Sequence, residues 1–125
     1  MVGGGLLGLE AAKAMLDLEQ FGKVKLIDRN RWVLARQLDG DAGSMVVEQV
    51  RALGVDVLLQ KRVQRILTNE EENEIRGVLF EDGEEIECAC ICFAVCFLFL
   101  SFLSFCICMH GNIIISIFSW CWKLR

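Results

Sequence analysis

The residues best placed to do chemistry are a run of glycines near the start of the chain. Gly3-Gly4-Gly5-Leu6-Leu7-Gly8 fits the pattern G-x-G-x-x-G, with Gly3, Gly5 and Gly8 in the three fixed places. The first glycine permits a tight turn, the second lets backbone approach a pyrophosphate, and the third lets the following helix pack on its strand. Leu6 and Leu7 then offer backbone N–H groups at a helix N-terminus, where the helix dipole also favours an anion. Asp28 stands 20 residues beyond Gly8, the spacing at which an acid receives the adenosine ribose of a dinucleotide. A carboxylate there favours NADH by repelling a 2′-phosphate, but Arg29 and Arg31 offer that phosphate a counter-charge. The cofactor expected is therefore NAD(P)H, with the choice between its two forms left open.

No other constellation competes. His110 is the one histidine and stands in an apolar stretch, so neither a histidine-based triad nor a zinc site is expected. Cys88, Cys90 and Cys92 alternate, which on one strand would put three thiols on one face. Their spacing is neither a C-x-x-C redox pair nor a metal-ligand pair, and they are read as small apolar side chains.

The elements around the glycine turn must position it. A helix is expected over residues 6–20, with Leu9, Ala12, Leu16 and Ala11, Met15, Leu18 as its apolar stripe and Gly22 as its stop. Residues 24–27 read as a buried parallel strand. Asp39 is the N-cap expected for a second helix over residues 40–53, whose apolar side is Met45, Val46, Val50 and Leu53, with Gly54 beyond its end. Residues 55–59 and 63–68 read as strands, 70–74 as a charged loop, and 75–80 with 84–91 as a hairpin across Glu81-Asp82-Gly83. Alternating strands and helices give an α/β class, expected as a Rossmann-like three-layer dinucleotide-binding domain with a β-hairpin, its first strand truncated to Met1 and Val2.

Charge divides the chain into residues 1–95 and an apolar tail, 96–125. The first part holds all 17 acids and 11 of the 13 Lys and Arg, a net −6. A net charge of −4 overall gives no footprint for nucleic acid. Six of the seven cysteines lie between Cys88 and Cys108, and with no secretory signal a disulfide framework is not expected.

Residues 2–95 resemble the NAD(P)H-binding domain of the pyridine nucleotide–disulfide oxidoreductase superfamily. The resemblance rests on V-G-G-G-L-L-G-L-E-A-A from Val2 to Ala12. Within that superfamily the chain is similar to the assimilatory NAD(P)H nitrite reductases of fungi, through W-V-L-A-R-Q-L-D-G-D-A-G (from Trp32), L-G-V-D-V (from Leu53) and V-L-F-E-D-G (from Val78). This implies that Gly3, Gly5 and Gly8 hold the pyrophosphate, that Asp28 and Arg29 select at the ribose, and that Glu10 lies near the nicotinamide. The family passes hydride from there to FAD, held by a domain this chain lacks, and nitrite reductases continue to an iron–sulfur cluster and siroheme. The family's continuation past Val95, a Gly-x-x-Pro turn, is replaced by Cys96-Phe97-Leu98-Phe99.

The tail has two readings. Residues 88–109 are 22 positions without a charge, long enough for a transmembrane helix and a membrane location. Alternatively, its Phe, Leu, Ser, Cys and Ile are what pyrimidine-rich noncoding DNA encodes, and GTATGT, a splice signal, encodes Val-Cys where the resemblance stops; this is retained-intron translation. The functional readings are accordingly three: a fragment of a cytoplasmic nicotinamide-dependent reductase without its flavin domain, a membrane-anchored dinucleotide-binding protein, and an inert gene-model fragment.

Overall fold

In a computed structural model of the chain, the described residues are 1–18, 22–69, 74–95, 105–110 and 113–116. They fall into two compact units, Met1–Arg62 and Val63–Arg125.

The first unit holds α1 (Leu6–Asp17), β1 (Lys25–Ile27), α2 (Gly40–Ala52) and β2 (Asp56–Leu58). β1 and β2 are parallel, pairing Lys25 with Asp56, Leu26 with Val57 and Ile27 with Leu58. The central residues are buried as those of a covered parallel sheet should be: Leu26 is fully buried, and Ile27 and Val57 nearly so. Lys25 and Asp56 meet at the exposed start of this ladder, 3.4 Å apart.

Val2 forms a parallel bridge to Ile27 on the other edge of β1. Ile27 N–H donates to Met1 O at 2.8 Å, Gly3 N–H to Ile27 O at 2.8 Å, and the Met1 amino group to Lys25 O at 2.7 Å. Met1 to Gly3 thus supply the ladder on that side of β1. Three residues suffice because their backbone groups reach every partner that this short strand offers.

α1 buries Gly8 and Ala12. It closes at Leu18, whose N–H still donates to Ala14 O at 3.2 Å, so Gly22 is not its stop. Leu18 is 47% exposed and drops out of the expected stripe.

α2 begins where its cap places it. The Asp39 carboxylate accepts from Ala42 N–H at 2.9 Å, satisfying one of the donors that a helix start leaves open. Asp39→Ala should lower the stability of the unit by about 1 kcal/mol, the usual cost of a lost cap, read as a lower urea midpoint with an unchanged slope. Gly54 follows the helix with φ +98, the left-handed conformation expected there. The buried side of α2 needs correction. Gly43 and Val47 face inward, whereas Met45 is 68% and Leu53 59% exposed. Hydropathy missed this because the inward row opens on a glycine, which carries no apolar signal.

The second unit has two antiparallel three-stranded sheets. One joins β3 (Val63–Thr68), β4 (Ile75–Phe80) and β5 (Glu85–Glu87) in chain order. Phe80 is fully buried and Val78 nearly so. Gly83 N–H donates to Phe80 O at 3.1 Å and Phe80 N–H to Glu84 O at 2.9 Å, with Gly83 at φ +86. These bonds describe a three-residue loop closed by a left-handed glycine, the expected hairpin in its bulged form. The charged loop lies largely outside the described residues.

The second hairpin strand stops earlier than expected. Beyond Glu87, Cys88 N–H still donates to Arg76 O at 3.0 Å; the chain then bends at Ala89 and starts β6 (Ile91–Val95). Cys88, Cys90 and Cys92 therefore do not share one strand face. Cys88 and Cys90 are half-buried, and burial pushes the Cys88 thiol up from its ordinary pKa. Cys92 is buried and disulfide-bonded, which corrects its reading as a simple apolar filler.

β6 pairs with β7 (Phe105–His110), and β7 with β8 (Ile113–Ser116). The expected transmembrane helix is thus not what the tail forms where it is described. Among the described residues no helix is long and apolar enough to cross a membrane. An uncharged run reads alike as helix or strand by hydropathy, and the β-branched Ile113-Ile114-Ile115 favours the strand.

Candidate dinucleotide-binding site

The glycine turn lies at the carboxyl ends of the parallel strands, where open α/β sheets bind their ligands. Gly3 has φ +113, a conformation closed to side chains, and its N–H to Ile27 O fixes the turn to β1. Gly4 is held on both sides. Its N–H donates to Asp28 Oδ2 at 2.5 Å, and its carbonyl accepts from Leu34 N–H at 2.8 Å. A Cβ on Gly4 would lie 2.5 Å from that oxygen and 3.1 Å from Asp28 Cγ, so no side chain fits.

Gly5 is different. It is the N-cap of α1 at φ −79 and ψ 179, a conformation any residue adopts, and a Cβ there would meet nothing within 4 Å. Its side faces open space beside the helix start. No side chain caps α1 and no acid stands in its first turn, so the N–H groups of Leu6 and Leu7 keep their positive end uncompensated. Leu6 is exposed and Leu7 half-buried, while Gly8 is buried under the helix. Glu10 is exposed on α1.

Asp28 is 8% exposed. Besides Gly4 N–H, its carboxylate accepts Asn30 N–H at 2.7 Å and Asn30 Nδ2 at 2.8 Å, both on Oδ1. A buried carboxylate needs such donors, and three bonds leave it about one of its roughly four acceptor directions. Backbone bonds brace the same corner. Asp28 N–H donates to Leu58 O at 2.9 Å, Lys61 N–H to Asp28 O at 3.0 Å, and Gln60 N–H to Asn30 O at 3.0 Å. Leu34 and Gln60 both have left-handed backbones, at φ 54 and 56, strain that only a well-braced loop retains. Arg29 and Arg31 are exposed beyond this corner.

The structure therefore gathers Gly3, Gly5, Leu6, Leu7, Gly8 and Asp28 around one turn, with Glu10 one helical turn further on. Sequence reasoning missed Gly4, Asn30, Leu34 and Gln60. Gly4 left a signal, a fourth glycine at a position the motif leaves free. Asn30, two residues after an aspartate, has the spacing of a side-chain-capped turn. Leu34 and Gln60 left none. An open glycine face, an uncapped helix start and an acid with one acceptor direction remaining together fit a pyrophosphate and its adjoining ribose.

Comparison with known proteins agrees with this geometry. The family model described as pyridine nucleotide-disulphide oxidoreductase matches residues 1–83. A nitrite reductase [NAD(P)H] from Emericella nidulans is 68% identical over 94 residues, 75% of this chain and 8% of that protein. One from Neurospora crassa is 54% identical over 102 residues, 76% of this chain and 9% of that protein. The chain thus spans under a tenth of the length of these relatives. Among solved structures, a ferredoxin reductase from Rhodopseudomonas palustris has the same fold, with a TM-score of 0.62 at 22% identity over 70% of this chain and 20% of that one. With its glycine turn, its parallel strands and two thirds of its length matched, the chain belongs to the pyridine nucleotide-disulphide oxidoreductase family.

Proposed function

We propose that residues 1–95 form the NAD(P)H-binding segment of a cytoplasmic nitrite reductase serving nitrate assimilation, with residues 96–125 unnecessary for that binding. The observation that carries this is the open face of Gly5 at the uncapped start of α1, above an Asp28 already fixed to the turn. Gly5, Leu6 and Leu7 would receive the pyrophosphate on backbone N–H groups, with Gly8 holding the helix close. Asp28 would take the adenosine ribose, with Arg29 beside it. Glu10 would line the nicotinamide end. The bound dinucleotide would supply a hydride for FAD, held by a flavin domain elsewhere in the enzyme, and that domain would be needed for activity. A doubly wound, three-layer Rossmann arrangement of the complete domain belongs to the same proposal.

Neither a membrane-anchored binding protein nor an inert fragment is favoured. The described part of the tail forms strands, and identity to a reductase holds over three quarters of the chain. Calorimetric titration of the full chain with NADH and with NADPH tests the reading. At least one should bind with a dissociation constant below millimolar; if neither does, the proposal fails.

A further inference from the structure

The segment 32–43, one of the runs that carry the family resemblance, holds none of the residues assigned above to the dinucleotide. Its structure gives it a different task. The Trp32 indole lies along the start of α2, over two glycines one turn apart. A Cβ on Gly43 would overlap the indole Cδ1 and lie 2.6 Å from Cγ and 2.9 Å from the Trp32 Cβ. On Gly40 it would lie 3.6 Å from Cζ3, an ordinary contact. Trp32 Nε1–H donates to Leu38 O at 3.1 Å, which closes the loop onto the ring.

The chain next to the indole leads directly to the glycine turn. Val33 is fully buried. Leu34 follows in its left-handed conformation, its carbonyl accepting from Gln37 N–H at 2.8 Å and Leu38 N–H at 2.9 Å. Its own N–H holds the Gly4 carbonyl. A strained residue keeps such a backbone only while both of its neighbours are fixed. Here one neighbour is anchored in the core and the loop behind is closed by the indole.

We propose that Trp32, seated closely on Gly43 at the start of α2, is a positioning residue for the dinucleotide. It acts through Leu34 on the Gly4 peptide, and so on the direction in which Gly5, Leu6 and Leu7 present their N–H groups. This rests on reading the glycine turn as a dinucleotide site.

The test compares Gly43→Ala with Gly40→Ala in the full chain. Both put alanine into the first turns of α2, but only the first displaces the indole. NADH affinity is read by calorimetry, and amide hydrogen exchange is followed at Gly4, Leu34, β1 and β2. Gly43→Ala should weaken binding by about tenfold or more, the scale of effect expected from a small misplacement of binding groups, and speed exchange at Gly4 and Leu34 alone. Gly40→Ala should do neither. Parental affinity in Gly43→Ala, or exchange raised evenly through β1 and β2, would overturn the proposal. Should Gly43→Ala not fold, Trp32→Phe replaces it, its ring too small for both glycines and lacking the donor to Leu38. The same local pattern is expected, and parental affinity again overturns the idea. If the parent chain binds neither NADH nor NADPH, the function proposed above fails, while the exchange pattern still decides whether Trp32 holds the turn.

Discussion

Gly5→Ala should remove dinucleotide binding while leaving the fold almost as stable as before. Gly5 already has a backbone that alanine adopts, and the added methyl meets no protein atom within 4 Å. Alanine is a poorer N-cap than glycine, so a loss of up to about 1 kcal/mol is expected at α1. The methyl would instead occupy the space through which a pyrophosphate must approach the helix start. Affinity for NADH and NADPH should fall by about a hundredfold or more, as expected when binding groups are pushed out of reach. Circular dichroism on heating, set beside calorimetric titration, separates the two effects. Gly4→Ala should show the opposite balance. Its Cβ collides with Asp28, and an overpacked site of this kind costs about 1–3 kcal/mol. If Gly5→Ala bound as the parent does, the open face would not be the pyrophosphate's.

Asp28→Ala should be the most destabilising single change at the site. It would leave the buried Gly4 N–H and the part-buried Asn30 N–H without their acceptor. A buried donor left unpaired costs about 1–3 kcal/mol and the part-buried Asn30 donor less, so about 2–4 kcal/mol is expected together. That is a large fraction of the 5–15 kcal/mol that typically holds a domain folded. Urea denaturation followed by circular dichroism reads it directly. Asp28→Asn is the gentler variant. Its carbonyl can keep Asn30, but its amide would face Gly4 N–H donor to donor. It also removes the negative charge that repels a 2′-phosphate. Weaker NADH binding and a preference shifted toward NADPH should follow, with Arg29 and Arg31 now unopposed. An unchanged ratio of the two affinities would mean that Asp28 serves the turn and not the ribose.

What was legible in the sequence is what local chemistry decides. The glycine spacing, the Asp39 cap, the left-handed Gly54 and the Asp82-Gly83 hairpin each depend on residues a few positions apart, and all stand in the structure. What was hidden depends on contacts between distant segments. Asp28 looked like a ligand-facing acid, yet its carboxylate spends three bonds on the protein itself, one reaching back 24 residues to Gly4. Trp32 looked like one letter of a family run until its indole was seen on Gly43. The side of α2 that faces inward could not be found from apolar residues, because the position packed against that indole is a glycine. The tail failed for another reason. Hydropathy counts an uncharged run without knowing whether it turns back on itself, and here Val95 pairs with Phe105 in an antiparallel ladder.

On the proposed function, dinucleotide phosphate binds the backbone of this turn. Amide chemical shifts of the isotopically labelled full chain, followed while NADH is added, test it most directly. Saturating shifts are expected at Gly5, Leu6, Leu7, Gly8 and Asp28, with little change in β3 to β5. Shifts confined to the second unit, or none at millimolar NADH and NADPH, would contradict it.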